Sequence, residues 1–242
     1  MNGGGAHMQF VYLEWSLLLL GLWSLLFALR PAHRRKMLSV SAWTSLLGLT
    51  EPLFVPRYWV PPTVLDLAAR TGFDFESVIF AFAAGGLAST LYDEVTGRAT
   101  APMSFPARHA RRHRFHQWAL SAPLPVFLIL YALTPLNPIY IAQTALAVGG
   151  LATLACRPDL GRRMLLGAFI FLALYFLYFA SLVRVHPAYV QEVWNLPALS
   201  GALIGGIPLE ELIFAATLGW SWSALYEHWQ WREDRRASDS QA

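Results

Sequence analysis

Seven separate stretches of mostly apolar residues, each about twenty residues long, constrain the fold of this 242-residue chain. A membrane-spanning helix needs about 20 such residues, because the hydrocarbon core of a bilayer is about 30 Å thick. Only 14% of the residues are charged, whereas soluble domains carry about 25%. The sequence therefore predicts an all-α integral membrane protein with about seven transmembrane helices. The predicted spans lie near residues 8–29, 37–55, 76–95, 117–134, 138–156, 164–185 and 207–229.

Basic residues are concentrated in every second connection between these stretches. All 18 lysines and arginines except Arg57, Arg70 and Arg184 follow the first, third, fifth or seventh span. The positive-inside rule then predicts an external N-terminus and a cytoplasmic C-terminus. Anionic lipid headgroups are the predicted partner of these charges, and nucleic acid is not. Because arginine almost replaces lysine, we expect the cytoplasmic (inner) membrane of a prokaryote.

An internal repeat relates the two ends of the chain. Residues 72–94 align without gaps with residues 206–228, and the matches include polar and small residues that are not generic in membrane helices. The most informative matched pairs are Gly72/Gly206, Glu76/Glu210, Gly85/Gly219, Ser89/Ser223 and Tyr92/Tyr226. Two sets of three helices around one connector helix predict a parallel 3+1+3 architecture, with both repeats in the same orientation.

This architecture predicts five segments. They are a flexible leader (1–7), a first three-helix repeat (8–95), a basic cytoplasmic loop with the connector helix (96–137), a second repeat (138–230) and a polar cytoplasmic tail (231–242). Within the matched helices, Gly85 and Gly219 each belong to a row of small residues at helical spacing. Such rows allow close helix packing in membranes.

Acidic residues at the predicted outer ends of the spans are the candidate catalytic groups. A carboxylate at the centre of a span costs about 2.5–3.5 kcal/mol, so the repetition of Glu76 as Glu210 needs a reason. The repeat allows these two residues to face each other across a central cavity. Carboxyl groups in an apolar cavity favour the neutral acid, which can donate a proton. The neighbouring acids on the same side are Glu211, Glu51 and Asp74.

Aromatic residues near these acids can stabilise a cation with their π-faces. The candidates are Tyr58, Trp59, Phe80, Trp194 and Phe214. Two simpler interpretations stay open. Acids are favoured at helix N-termini, where Pro208 also suits the first turn, and aromatic residues also form interfacial belts.

At these residues the chain resembles a known family. Gly206–Phe214, which reads GIPLEELIF, is similar to the Pro-x-Glu-Glu motif of the membrane-integral lycopene cyclases. These carotenoid cyclases contain tandem three-helix domains, as heterodimers or fused chains. The resemblance covers residues 8–95 and 138–230. Phe73–Ser77 keeps one glutamate of the motif but lacks its proline and second acid.

The resemblance implies an intramolecular lyase or isomerase that closes the end ring of a linear carotene by redox-neutral acid catalysis. It implies Glu76, Glu210 and Glu211 as catalytic residues, with Pro208 in the motif. It implies no cofactor and no metal. The partners expected are membrane lipid and the linear carotenoid, and either a homo-oligomer or a hetero-oligomer with other carotenoid enzymes.

Two other functions are compatible with the sequence. A small-molecule transporter can have the same parallel architecture. A metal-dependent carotenoid or lipid oxygenase would use a histidine box, for which His109, His113 and His116 have helical spacing and His33 and His228 lie on the same side. A retinal pigment is excluded, because the single lysine, Lys36, lies in a predicted loop. The single cysteine, Cys156, excludes an internal disulfide and a multi-cysteine metal site.

Overall fold

A computed structural model describes residues 4–234, in which helices predominate. The helices are α1 (Gly4–Leu29), α2 (Arg34–Ser45), α3 (Leu67–Thr71), α4 (Phe75–Thr96), α5 (Phe105–Arg108), α6 (His116–Ser121), α7 (Pro123–Leu133), α8 (Pro138–Cys156), α9 (Gly161–Val185), α10 (Tyr189–Val193) and α11 (Leu209–Trp229). Short 3-10 helices lie at Pro31–His33, Leu46–Leu53, Val64–Asp66, Arg111–His113, Pro158–Leu160 and Leu196–Ala198.

Two small antiparallel strand pairs accompany the helices. Strand β1 (Thr100–Pro102) pairs with β4 (Arg232–Asp234), and β2 (Leu203–Ile204) pairs with β3 (Ile207–Pro208). The first pair joins the loop after α4 to the chain after α11, two segments predicted to share one side of the membrane.

Regular structure extends into parts of the predicted leader and tail. Helix α1 begins at Gly4, inside the predicted leader 1–7, and β4 occupies part of the predicted tail 231–242. Pairing with β1 supplies hydrogen-bond partners for the backbone of β4, so this part of the tail has regular structure. Residues 1–3 of the leader and 235–242 of the tail lie outside the described residues.

Within residues 4–234, four helices are both long and apolar enough to cross a membrane. They are Met8–Leu29, Phe75–Thr96, Pro138–Cys156 and Pro158–Val185. Each lies at a predicted span, so the membrane character and the nearly all-α fold are confirmed. Seven spans and the 3+1+3 repeat stay predictions.

The other three predicted spans are not among these four helices, and the structure shows why. The span at 37–55 is α-helical only to Ser45 and continues as a 3-10 helix containing Pro52, a residue that cannot donate a backbone hydrogen bond. The span at 117–134 is divided at Ala122, just before Pro123. Helix α11 has 21 residues but carries three glutamates, which lower its mean hydropathy.

The matched rows of small residues lie at two close helix contacts. Helix α4 packs on α2, and α11 packs on α9. A Cβ atom added at Gly85 would collide with the side chain of Thr44. One added at Gly219 would come within 2.8 Å of the Gly167 carbonyl oxygen and 2.9 Å of Phe171 Cβ. Both glycines are therefore required by the close approach of a neighbouring helix.

Four buried charges meet where α2, α4, α9 and α11 come together. They are Lys36, Asp93, Arg163 and Glu227. Lys36 Nζ lies 2.9 Å from Asp93 Oδ2 and 2.7 Å from Glu227 Oε1. An Arg163 nitrogen lies 2.6 Å from Asp93 Oδ1, and another lies 3.5 Å from Glu227 Oε1. Each cation of this four-charge cluster therefore contacts both anions.

The four-charge cluster joins the two sequence repeats. Asp93 aligns with Glu227, and Lys36 and Arg163 each precede a Met-Leu pair. The contacts from Lys36 to Glu227 and from Arg163 to Asp93 cross from one repeat to the other. Removing one partner of a buried ion pair typically costs about 3–5 kcal/mol, because the remaining charge is less compensated.

We expect Gly219→Leu to reduce accumulation of the protein in the membrane several-fold, because the new side chain collides with α9. Gly21→Leu in α1 is the matched control, since no atom lies within 4 Å of its added Cβ. Quantitative immunoblotting of membrane fractions measures the effect. Equal accumulation of the two variants would contradict the packing assigned to Gly219.

We expect Glu227→Gln to lower the free energy of unfolding by about 3–5 kcal/mol, because Lys36 and Arg163 each lose a buried carboxylate partner. Glu94→Gln removes an acid that pairs with the exposed Arg30, and its cost should not exceed about 1 kcal/mol. Unfolding curves in detergent measure both changes. Similar losses would show that the four-charge cluster contributes no more than a surface ion pair.

Candidate active site

A cavity of about 380 Å³ lies between the two predicted repeats. Its wall is formed mainly by apolar and aromatic side chains from both repeats and from α7. Among the described acidic residues, Glu51 and Glu211 line it. Five predicted aromatic residues also line it, namely Tyr58, Trp59, Phe80, Trp194 and Phe214. The structure therefore brings two of the predicted acids together with all of the predicted aromatic side chains.

Glu211 is held by three hydrogen-bond donors inside this cavity. Its Oε2 accepts a hydrogen bond of 2.6 Å from the Tyr175 hydroxyl. Its Oε1 accepts one of 3.1 Å from Trp194 Nε1 and a short one from the Tyr58 hydroxyl. Because both oxygens are bound by rigid aromatic side chains, the carboxyl group is fixed in one orientation.

Glu51 approaches the cavity from the 3-10 helix that follows α2. Its Oε1 accepts a hydrogen bond of 2.5 Å from Trp59 Nε1. The Trp59 ring lies 5.2 Å from the Trp194 ring, and the backbones of the two residues form an isolated antiparallel bridge. Each indole thus donates to one acid, and the tryptophan pair connects Glu51 to Glu211.

Glu76 and Glu210 do not face each other across the cavity, as the repeat had led us to expect. Glu76 Oε1 accepts a hydrogen bond of 2.8 Å from the backbone N–H of Val64. Glu210 Oε1 accepts one of 2.8 Å from the backbone N–H of Ser200 and one of 2.7 Å from the Tyr140 hydroxyl. Each glutamate instead accepts a hydrogen bond from a backbone N–H of the segment that precedes its own helix, and neither lines the cavity.

Asp74 lies outside the cavity wall and caps the start of α4. Its two oxygens accept hydrogen bonds from Ser77, one of 2.5 Å from the backbone N–H and one of 3.1 Å from the hydroxyl. Burial raises the pKa of Asp74 to about 6, although these hydrogen bonds oppose the shift. Ser77 in turn contacts the Tyr12 hydroxyl at 2.9 Å. Asp74 therefore positions two residues that do line the cavity.

Pro208, in β3, immediately precedes α11 and is likewise absent from the cavity wall. Its φ of −56° suits the entry to a helix. The sequence missed Tyr175 as a site residue. A tyrosine within the apolar stretch of α9 was the available signal, because a buried hydroxyl in such a helix needs a partner.

The histidine spacing that suggested a metal-dependent oxygenase does not lie on one helix. His109 follows the end of α5, His113 lies in a 3-10 helix, and His116 begins α6. His33 lies 3.6 Å from a Glu94 oxygen. The helical periodicity fails here because the chain turns between each pair of histidines.

Comparison with known proteins identifies the second repeat. The lycopene cyclase family model matches residues 137–229. This segment is therefore similar to a lycopene cyclase domain. The domain contains Glu211 with two of its hydrogen-bond donors, Tyr175 and Trp194. The family resemblance is thus confirmed over this segment. No curated protein and no solved structure matches the chain.

We expect Glu210→Leu to lower the free energy of unfolding by about 2–3 kcal/mol, because Tyr140 and Ser200 lose their acceptor. Glu210→Gln retains one acceptor oxygen and should cost less than about 1 kcal/mol. Unfolding in detergent measures both variants. Equal stability of the leucine and glutamine variants would contradict a role for Glu210 in holding the loop.

Proposed function

We propose that this protein is a carotenoid cyclase that closes the end ring of a linear, lycopene-type carotene within the membrane. The observation that carries the proposal is Glu211, a buried acid of the lycopene cyclase domain that lines an aromatic cavity. A carotene is apolar, so the cavity suits its end group. The cavity volume of about 380 Å³ is near the lower end of the range for pockets that hold drug-sized ligands, about 300–1,000 Å³. It can therefore hold the end group of a carotene but not the whole polyene chain. The remainder of the substrate stays outside it.

The reaction is an isomerisation in which one proton is added and one is removed. An acid protonates the terminal double bond of the carotene and forms a tertiary cation. The electron pair of an internal double bond attacks this cation and closes a six-membered ring. A base then removes a proton from the new ring cation, which leaves a cyclic end group with unchanged composition.

Two acids of the cavity are assigned to these steps. Glu51 accepts one hydrogen bond among those described, which leaves its second oxygen available to carry the proton that is donated. Glu211 accepts three hydrogen bonds, as suits a carboxylate, and is assigned as the base that stabilises the cation and removes the proton. The proton must return to Glu51 between turnovers, because the net reaction consumes none.

The aromatic wall supplies the second part of the mechanism. Trp59, Trp194, Phe80 and Phe214 surround the space where the cation forms, and their π-faces attract positive charge. Each such contact contributes about 2 kcal/mol when water is excluded. Glu76 and Glu210, which the family motif implied as catalytic, are assigned here to holding the loops that border the site.

The proposed location is the cytoplasmic membrane, with the basic segments on the cytoplasmic side. Pairing of β1 with β4 supports one common side for the loop after α4 and the end of α11. Membrane lipid is the proposed partner of the basic residues, and assembly with a second copy or with other carotenoid enzymes is compatible with the proposal.

Expression in cells that accumulate lycopene tests the activity, with pigment chromatography as the measurement. We expect the unaltered protein to give monocyclic or bicyclic products. Glu211→Gln and Glu51→Gln should each lower product formation by about 10²–10⁴-fold at equal protein level, because glutamine cannot exchange the proton. Glu192→Gln is the matched control, since Glu192 is an exposed acid in α10.

Two outcomes would overturn the proposal. Ring formation at the unaltered rate in both cavity variants would exclude these acids from the chemistry. Unchanged lycopene, together with substrate uptake into vesicles that contain the protein, would instead identify a transporter.

A further inference from the structure

Two histidines and the cysteine meet at the end of the bundle remote from Glu211. They are His116 at the start of α6, Cys156 at the end of α8 and His228 near the end of α11, and each is at most 5% exposed. One potential ligand atom from each residue lies within 4.8 Å of those from the other two. We propose that these three residues bind one Zn²⁺ ion.

The separations suit tetrahedral zinc. Zinc binds histidine nitrogen at about 2.0–2.1 Å and cysteine sulfur at about 2.3 Å, which places neighbouring nitrogen and sulfur ligands roughly 3.5 Å apart. His116 Nδ1 lies 3.7 Å from Cys156 Sγ. Nitrogen and thiolate ligands favour zinc over magnesium or calcium, which prefer oxygen ligands. Three protein ligands leave the fourth position for water.

His228 provides independent support, because it has one nitrogen bound and one free. Its Nδ1 lies 3.2 Å from the Thr153 hydroxyl. Its Nε2 is buried and has no hydrogen-bond partner among the described residues. An unpaired buried nitrogen is costly. A metal-binding histidine shows this arrangement, in which a neighbouring group holds one nitrogen and the other is free to bind the ion.

The surrounding residues orient the other two ligands. His113 Nε2 accepts a hydrogen bond of 3.2 Å from Arg112. Its Nδ1, 3.5 Å from Cys156 Sγ, therefore carries the proton and can donate to a thiolate. The Trp231 ring stacks on His116 with centroids 3.8 Å apart. Each ligand is thus held by a neighbour, as metal sites require.

The buried positive charge near the site is paired with an acid. Arg157 is buried, and its guanidinium lies 2.6 Å from Asp159 Oδ2. It also donates to the carbonyl oxygens of Glu227 and Arg232. The zinc site is separated from Glu211 by 17 residues of one helix, or about 25 Å. The ion therefore links α6, α8 and α11 and takes no part in ring closure.

Metal analysis of the full-length protein purified in detergent without chelators tests the proposal. We expect about one zinc per chain. Cys156→Ser and His228→Gln should each lower the zinc content at least tenfold. His109→Gln is the matched control, because His109 is exposed and lies against Phe105, and it should retain zinc.

Cobalt substitution provides a readout independent of activity. We expect Co²⁺ added to metal-free protein to give a thiolate-to-cobalt charge-transfer absorption that Cys156→Ser lacks. A native zinc content no higher than that of Cys156→Ser, without this absorption, would overturn the site. One equivalent of iron or copper per chain in place of zinc would overturn the choice of metal. Neither result bears on the cyclase proposal, which pigment analysis tests separately.

Discussion

The four-charge cluster of Lys36, Asp93, Arg163 and Glu227 is the interaction on which the arrangement of the two repeats depends. Each repeat supplies one cation and one anion, and each cation contacts the anion of the other repeat. Moving the repeats apart would expose each buried charge to an apolar environment without its partner. The cavity lies between the same two parts of the chain, at the opposite end of α11 from Glu227, and Trp59 meets Trp194 there.

The two adjacent glutamates of the motif, Glu210 and Glu211, have different roles. Successive residues of a helix point about 100° apart. Glu210 reaches the loop at Ser200, whereas Glu211 reaches the cavity. The first repeat divides these tasks differently. Glu76 holds its loop, Ser77 occupies the position that aligns with Glu211, and the cavity acid, Glu51, comes from the preceding helix. The first motif has Ser77 in place of a second acid, and Glu51 supplies the cavity acid from another position.

Sequence periodicity predicted the long apolar helices and the aromatic character of the site, because both follow from local composition. It did not predict the end of α2 at Ser45, where a 3-10 helix takes over before Pro52. It placed Lys36 in a loop, although the lysine lies in α2 and is buried by ion pairs with residues far along the chain. Similarly, Cys156 and His228 are 72 residues apart in sequence, so the single cysteine gave no metal signature. The burial of Lys36 and the meeting of Cys156 with His228 depend on contacts between residues far apart in the chain. The spacing of residues in the sequence does not reveal such contacts.

The charge arrangement between the repeats has a consequence for symmetry. Since each repeat contributes one positive and one negative side chain, a single three-helix unit paired with a copy of itself would form the same alternating cluster. Glu51 and Glu211 lie on non-equivalent helices, so the two halves of the chain contribute their cavity acids from different positions.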